Sequence, residues 1–204
     1  MRTIFPIISL LMAIFLSVSC STTRVLQDDE YRLAKNRIVV ENDKEFNPNQ
    51  LNKYLKQNKG LGWSPFLYVY NWTNGRGKGW DKLVQKVGKA PVVYDAEQVD
   101  KSISNIEDHL EYIGYYGSTV GSEIKVSKKT VKVVYKVVLG KRYPIEEITL
   151  DLPERGEFRE AFLKDTSSFT VRKGDYLSEQ SLEAETERLA ALIRNEGFYD
   201  FSKN

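Results

Sequence analysis

The stretch from Asp95 to Tyr116, DAEQVDKSISNIEDHLEYIGYY, decides the fold of this chain. Its main apolar residues recur at alternating spacings of four and three, which places them on one face of an α-helix. These residues are Val99, Ile103, Ile106, Leu110 and Ile113. Asp95 is a good N-cap residue with Gln98 at the N3 position of a capping box, and Gly114 suits the left-handed position after a helix end. The stretch therefore predicts one long amphipathic helix with a marked start and a marked end.

The same features return after a shift of 83 residues, which indicates an internal repeat. Ser178 takes the place of Asp95 at the cap, and Gly197 takes the place of Gly114. Two aromatic residues follow the glycine in both copies, and apolar residues return on the same helical face. In the second copy these are Leu182, Leu189 and Ile193. The chain therefore contains two copies of one structural unit.

Strand-like runs, rich in β-branched residues, accompany both helices. The predicted strands are Arg37–Glu41, Thr119–Val126, Thr130–Leu139 and, in the second copy, Ile145–Leu152. A short helical stretch follows the first strand of each copy, around Leu55 and around Leu163. One complete unit thus reads β-α-α-β-β, an α+β fold. Because Val131, Val133, Tyr135 and Val137 make Thr130–Leu139 the most apolar strand, we expect it to lie centrally in the sheet.

The amino-terminal residues 1–19 have the pattern of a secretion signal. Arg2 is followed by an almost unbroken apolar run of about 15 residues, which is short for a membrane span. The run ends in Leu-Ser-Val-Ser before Cys20, the only cysteine, which resembles a bacterial lipobox. We expect Cys20 to be acylated and residues 20–35 to form a tether, the alternatives being an uncleaved anchor helix or an ordinary signal peptide.

The overall composition excludes several classes of function. A charged fraction of 28% and a mean hydropathy of −0.43 are typical of globular chains, and no later stretch approaches 18 consecutive apolar residues. A net charge of +2 does not favour nucleic acid as a partner. A single cysteine allows neither an intrachain disulfide nor a cysteine metal cluster.

The first copy carries an insert at about residues 60–92 that the second copy lacks. All three tryptophans lie in it, and from Asn58 to Pro91 six Lys or Arg accompany a single acid. Aromatic and basic residues together suit a membrane interface, whereas the other interpretation is an extension of the core with a solvated lysine rim. The candidate contact residues for a membrane or a partner are Trp63, Phe66, Tyr68, Tyr70, Trp72, Trp80, Lys82 and Lys86.

Several of these features together resemble a known family. The β-α-α-β-β order, the junction Lys136–Ile148 (KVVLGKRYPIEEI) and the glycine-aromatic helix endings resemble POTRA domains, the polypeptide-transport-associated modules of the BamA and TamA outer-membrane assembly superfamily. The candidate lipidation cysteine and the segment Gly88–Asp95 (GKAPVVYD) are most similar to the TamL-type lipoproteins of Bacteroidetes-type bacteria. The resemblance implies a first POTRA copy at residues 36–142 and a second, incomplete copy (β-α-α) at 143–204.

The resemblance also implies a function and a location. Proteins of this kind are non-enzymatic, use no cofactor, and serve in outer-membrane protein assembly or translocation. The expected contacts are unfolded outer-membrane protein clients, a TamB-like inner-membrane protein and, through the acyl chains, the inner leaflet of the outer membrane at its periplasmic face. Since family members carry further POTRA units and a β-barrel, we expect this sequence to be a fragment; strands supplied by a partner chain are the alternative.

One strand is the predicted polypeptide-binding site. A strand at a sheet edge offers backbone N–H and C=O groups to another extended chain, which is β-augmentation. The predicted edge comprises Thr119, Val120, Gly121, Ser122, Glu123, Ile124, Lys125 and Val126. An ordinary edge strand protected by Lys125 and Lys128 is the alternative, and a membrane-interface adaptor is the alternative function. Catalysis has little support, because the sole histidine, His109, flanks the apolar face of a helix and is expected to be a boundary residue.

Overall fold

The structure is a computed structural model that describes residues 22–58, 65–73, 79–164 and 166–201. Its strands are β1 (Arg32–Val40), β2 (Thr119–Ser127) and β3 (Thr130–Val138). Its α-helices are α1 (Pro65–Tyr70), α2 (Gly79–Val87), α3 (Ala96–Tyr112), α4 (Glu157–Leu163) and α5 (Glu179–Asn195). Two 3₁₀ helices span Pro48–Tyr54 and Thr166–Ser168. The predicted α+β class is confirmed.

The three strands form one mixed sheet in the order β1-β3-β2. The Arg32 N–H donates to the Lys129 carbonyl and the Glu41 N–H donates to the Val137 carbonyl, so β1 and β3 run parallel. Strands β2 and β3 are joined by a two-residue turn and are antiparallel. The prediction that β3 is central is confirmed, and its alternate residues Val131, Val133, Tyr135 and Val137 are fully buried.

The two long helices are built alike. Both have 17 residues, and the bounds of α5 are those of α3 shifted by 83 positions. Each ends in a Schellman motif: Tyr115 N–H donates to Leu110 C=O after α3, and Phe198 N–H donates to Ile193 C=O after α5. Gly114 and Gly197 supply the left-handed residue, with φ of 93° and 105°. The helix ends predicted from glycine are therefore present in both copies.

The second copy differs from prediction in its first strand. Ile145–Leu152 is not a strand in the described chain; Ile145 exchanges backbone hydrogen bonds with Gly174 and Asp175, and an isolated bridge joins Pro144 to Tyr176. In the first copy, the equivalent strand pairs with β3. The described part of the second copy holds no such neighbour, and an extended segment without a ladder partner is not a strand.

The first copy differs at its start. Strand β1 begins at Arg32, within the segment predicted as a tether, and both Leu26 and Leu33 are buried. The Leu33 N–H donates to the Val92 carbonyl at 2.8 Å. The segment 22–35 is therefore packed at Leu26 and Leu33, whereas Asp28, Asp29 and Lys35 are exposed. The short helix that follows is 3₁₀ rather than α, with Asn47 capping its first turn.

Packing divides the chain into two bodies. Body 1 contains the residues up to Arg37 with Gln57–Ala96 and Ile124–Val134, and body 2 contains Ile38–Lys56, Glu97–Glu123 and Tyr135–Asn204. The buried apolar residues of body 1 include Leu26, Leu33, Leu67, Val84, Val131 and Val133. Body 2 holds a cluster of Ala161, Phe162 and Ile193, against which further apolar residues of the second copy pack.

Candidate functional site

Strand β2 lies at the edge of the sheet, where the sequence predicts it. Among the described strands it pairs with β3 alone. Gly121 leaves open space around its backbone, since a Cβ built there would meet nothing within 4 Å.

The backbone directions of β2 follow from one hydrogen bond. The Val120 N–H donates to the Glu107 carboxylate of α3 at 2.8 Å and therefore points away from β3. In an antiparallel ladder each residue directs both its N–H and its C=O to one side, and successive residues alternate. Ser122, Ile124 and Val126 therefore present their N–H and C=O groups outward, in the direction that an added strand would occupy. Glu107 occupies the first outward donor, so the available edge begins after Val120.

The side chains of β2 change in burial along its length. Val120 is buried, whereas Ile124 and Val126, which share its face, are 45% and 57% exposed. On the other face, Glu123 forms an ion pair with Lys136 at 3.1 Å. Thr119, Gly121, Ser122 and Lys125 are exposed. The carboxyl-terminal half of the strand thus combines outward backbone groups with uncovered apolar side chains.

The described part of the aromatic and basic insert forms two short helices. The Lys89 N–H donates to the Phe66 carbonyl at 2.9 Å, which connects the end of α2 to α1. Gly88 lies so close to Tyr70 that an added Cβ would approach its backbone to 2.6 Å. The helices are therefore held in tight contact, and Leu67 and Val84 are buried.

The predicted contact residues of the insert divide into two groups. Phe66, Trp72, Trp80, Lys82 and Lys86 are exposed, whereas Tyr68 and Tyr70 are half-buried. Trp63 lies outside the described residues, and so does Cys20. The structure therefore brings Trp80, Lys82 and Lys86 together on α2 and places Phe66 beside the end of that helix.

A buried asparagine connects this helix pair to the chain just after Cys20. Asn71 is almost fully buried, and its side-chain NH₂ donates to the Leu67 carbonyl at 2.8 Å. Its side-chain oxygen accepts the Val25 N–H at 3.3 Å. Residues 22–26 are thus fixed to the helix pair.

Two buried polar residues that sequence reasoning missed occupy equivalent positions in the repeat. Ser102 of α3 accepts the Lys56 N–H at 2.9 Å, and Glu185, which lies 83 residues later in α5, accepts the Thr170 N–H at 3.1 Å. Hydrogen bonding from Arg188 and Thr170 holds the pKa of the Glu185 carboxyl below its usual value, although burial opposes this shift. Both side chains satisfy a backbone donor in the connection before the long helix. A polar residue at the same position of both apolar faces was the available signal.

His109 lies in a small aromatic cluster of body 2. Its ring stacks on Tyr54 with centroids 4.1 Å apart, and the Tyr54 hydroxyl is 2.7 Å from its Nδ1. Burial lowers the pKa of His109, and the Lys53 ammonium lowers it further. His109 is thus a structural partner of the 3₁₀ helix Pro48–Tyr54, which is consistent with a boundary position.

The described residues contain neither a metal-ligand cluster nor a membrane-spanning helix. Within them, no group of three or more His, Cys, Asp or Glu side chains could hold a metal ion. No helix in the described ranges has both the length and the apolar character needed to cross a membrane.

Comparison with known proteins gives one family match. Residues 35–140 match the POTRA family, described as a surface antigen variable number repeat. The crystal structure of Haemophilus influenzae BamA POTRA3-5 is similar with a TM-score of 0.36 and 15% sequence identity, over 83% of this chain and 52% of that chain. The present chain thus spans about half the length of that chain. Among curated proteins no match is found.

Proposed function

This chain belongs to the POTRA family, and on that premise we propose that it binds extended polypeptide segments at the edge of β2 during outer-membrane protein assembly or translocation. The proposed role is that of a non-enzymatic scaffold. Its clients are unfolded outer-membrane proteins, which expose strands that have not yet found their own partners. A TamB-like inner-membrane protein is the proposed partner, as the similarity to TamL-type lipoproteins implies.

The observation that carries this proposal is the outward direction of the β2 backbone. Ser122, Ile124 and Val126 offer alternate donors and acceptors to an incoming strand, because the Val120 N–H, on the same side, is taken by Glu107 rather than by β3. Main-chain hydrogen bonds supply affinity with little dependence on the sequence of the client. This suits a protein that handles many unfolded chains.

Side chains provide a second contribution. The exposed faces of Ile124 and Val126 can cover alternate apolar side chains of an added strand, and outer-membrane strands alternate in this way. In the competing interpretation, β2 is an ordinary edge strand, and Lys125 and Lys128 protect it from pairing with other chains. The two interpretations differ in whether the outward N–H groups bind a second chain.

Replacing Ser122 with proline should distinguish a polypeptide-binding edge from an ordinary protected edge. Proline removes one outward donor and leaves the ladder to β3 intact, because the Ser122 N–H does not point toward β3. We expect binding of a ten-residue peptide with alternating apolar and polar residues to weaken by about tenfold, the effect of one lost hydrogen bond with an unsatisfied acceptor. Fluorescence anisotropy of the labelled peptide measures the dissociation constant.

Ser122→Ala is the matched control, since it removes the hydroxyl and keeps the N–H. Its affinity for the peptide should stay close to that of the unchanged chain. Equal affinity of the proline and alanine variants, with unchanged circular dichroism in both, would show that the peptide does not add to β2.

We further propose that Cys20 carries the acyl chains of a lipoprotein at the periplasmic face of the outer membrane. The support is the apolar run before it and the small residues at the cleavage site. Mass spectrometry of the membrane-extracted chain should find acyl groups at Cys20, and a Cys20→Ser variant should lack them. An unmodified, uncleaved chain in the same extract would contradict the anchor.

A further inference from the structure

Helix α2 exposes an apolar stripe that the fold of body 1 does not cover. Trp80, Leu83 and Val87 recur at i, i+3 and i+7, so they lie on one face of the helix. Their exposed fractions are 58%, 55% and 54%. The adjoining side of α2 is buried through Asp81 and Val84. The helix therefore has one side in the core and an adjoining apolar side in solvent.

The exposed charges of α2 and of Lys89 just after it have a single sign. Lys82, Lys86 and Lys89 are exposed, whereas Asp81, the only acid between residues 79 and 89, is 3% exposed. An apolar face bordered by lysines with no exposed acid is complementary to anionic headgroups above an acyl layer. Tryptophan is the side chain enriched at that boundary, because its ring is apolar and its N–H is polar.

The position of α2 along the chain is consistent with contact to a membrane surface. Residues 22–26 are fixed to the helix pair through the hydrogen bond from Val25 to Asn71. Val25 lies only five positions after Cys20, a reach of at most about 18 Å in an extended chain. If Cys20 is acylated, the helix pair is therefore held at the bilayer surface. This step rests on the proposed acylation, whereas the exposure and charge of α2 do not.

We propose that α2 docks in the plane of an anionic membrane surface, with Trp80, Leu83 and Val87 in the headgroup and upper acyl region and with Lys82 and Lys86 on lipid phosphates. The site goes beyond client binding at β2. Docking of α2 would orient body 1 against the bilayer. This contact with lipid does not require a bound client.

Lipid quenching of Trp80 tests this directly. The full chain is reconstituted in vesicles of phosphatidylglycerol and phosphatidylcholine containing brominated acyl chains, in a Trp63→Phe, Trp72→Phe background in which Trp80 alone reports. We expect the brominated lipid to quench Trp80 and the lipid surface to protect it from acrylamide. Pure phosphatidylcholine vesicles should give weaker quenching, because each lysine contributes about a fivefold preference for an anionic surface.

Two pairs of variants make the test specific. Lys82→Gln with Lys86→Gln should lower the ratio of docked to undocked chains by about 25-fold, whereas Lys44→Gln with Lys132→Gln, which removes the same charge elsewhere, should leave it unchanged. Leu83→Ser should reduce the quenching, and Leu182→Ser, at an exposed leucine of α5, should not.

The outcomes separate docking from anchoring. Acyl groups at Cys20 are measured by mass in the same sample. An acylated chain in which Trp80 is open to acrylamide and untouched by brominated lipid overturns the docking and leaves the anchor intact. Protection from acrylamide without lipid quenching also overturns it, since the stripe is then covered by protein.

Discussion

Replacing Gly114 with alanine is expected to destabilise the chain far more than the same replacement at Gly197. Both glycines occupy the left-handed position after a long helix, with φ of 93° and 105°. For alanine this conformation costs about 1–2 kcal/mol at either site. The two sites differ in the atoms around the glycine. The difference in unfolding free energy between the two variants therefore measures the contacts of the added Cβ.

At Gly114 an added Cβ would lie 2.4 Å from the Leu177 carbonyl oxygen, whereas at Gly197 nothing lies within 4 Å. The obstacle is backbone and cannot rotate away, which adds about 1–3 kcal/mol to the cost at Gly114. Urea unfolding followed by circular dichroism should therefore show a loss of about 2–5 kcal/mol for Gly114→Ala and about 1–2 kcal/mol for Gly197→Ala. Equal losses would mean that the end of α3 does not pack against the start of α5.

Truncating Leu110 is expected to have the second large effect. Leu110 of α3 is fully buried, and its removal to alanine leaves a cavity in the core of body 2. Such substitutions cost about 2–5 kcal/mol. Thermal unfolding of the Leu110→Ala variant should show a clearly lower midpoint than that of the unchanged chain.

Leu182→Ala in α5 is the matched control, because it deletes the same atoms from the equivalent helix. Leu182 is 42% exposed, while Val99 at the corresponding position of α3 is 3% exposed. We expect a change within about 0.5 kcal/mol for this surface site. A midpoint shift as large as that of Leu110→Ala would indicate that another chain covers Leu182.

The elements predicted correctly from sequence are those whose signals are local. The four buried residues of β3 alternate with less buried ones, and this alternation alone predicts the central strand. The ends of α3 and α5 follow from Gly114 and Gly197, because a left-handed residue is required at each. A periodic pattern and a helix cap each depend on residues that are close together in the sequence.

The features that sequence did not predict depend on distant partners. Ile145–Leu152 has the composition of a strand but lacks a ladder neighbour in the described chain. The segment that leads into β1 looks polar, yet the Val25 N–H donates to Asn71 and the Leu33 N–H donates to Val92, both far along the chain. The spacing of Trp80, Leu83 and Val87 is that of a helix, but only the structure distinguishes the buried Asp81 from the exposed lysines.

The parallel pairing of β1 with β3 has a consequence for the biogenesis of the protein. Asn42, just after β1, and Leu139, just after β3, exchange two hydrogen bonds across 97 residues of sequence. A chain that is synthesised from its amino terminus exposes β1 well before β3 emerges. Long-range contacts of this kind form slowly, and an unpaired strand is open to aggregation in the interval. Synthesis of this protein thus includes a period in which its own first strand needs protection.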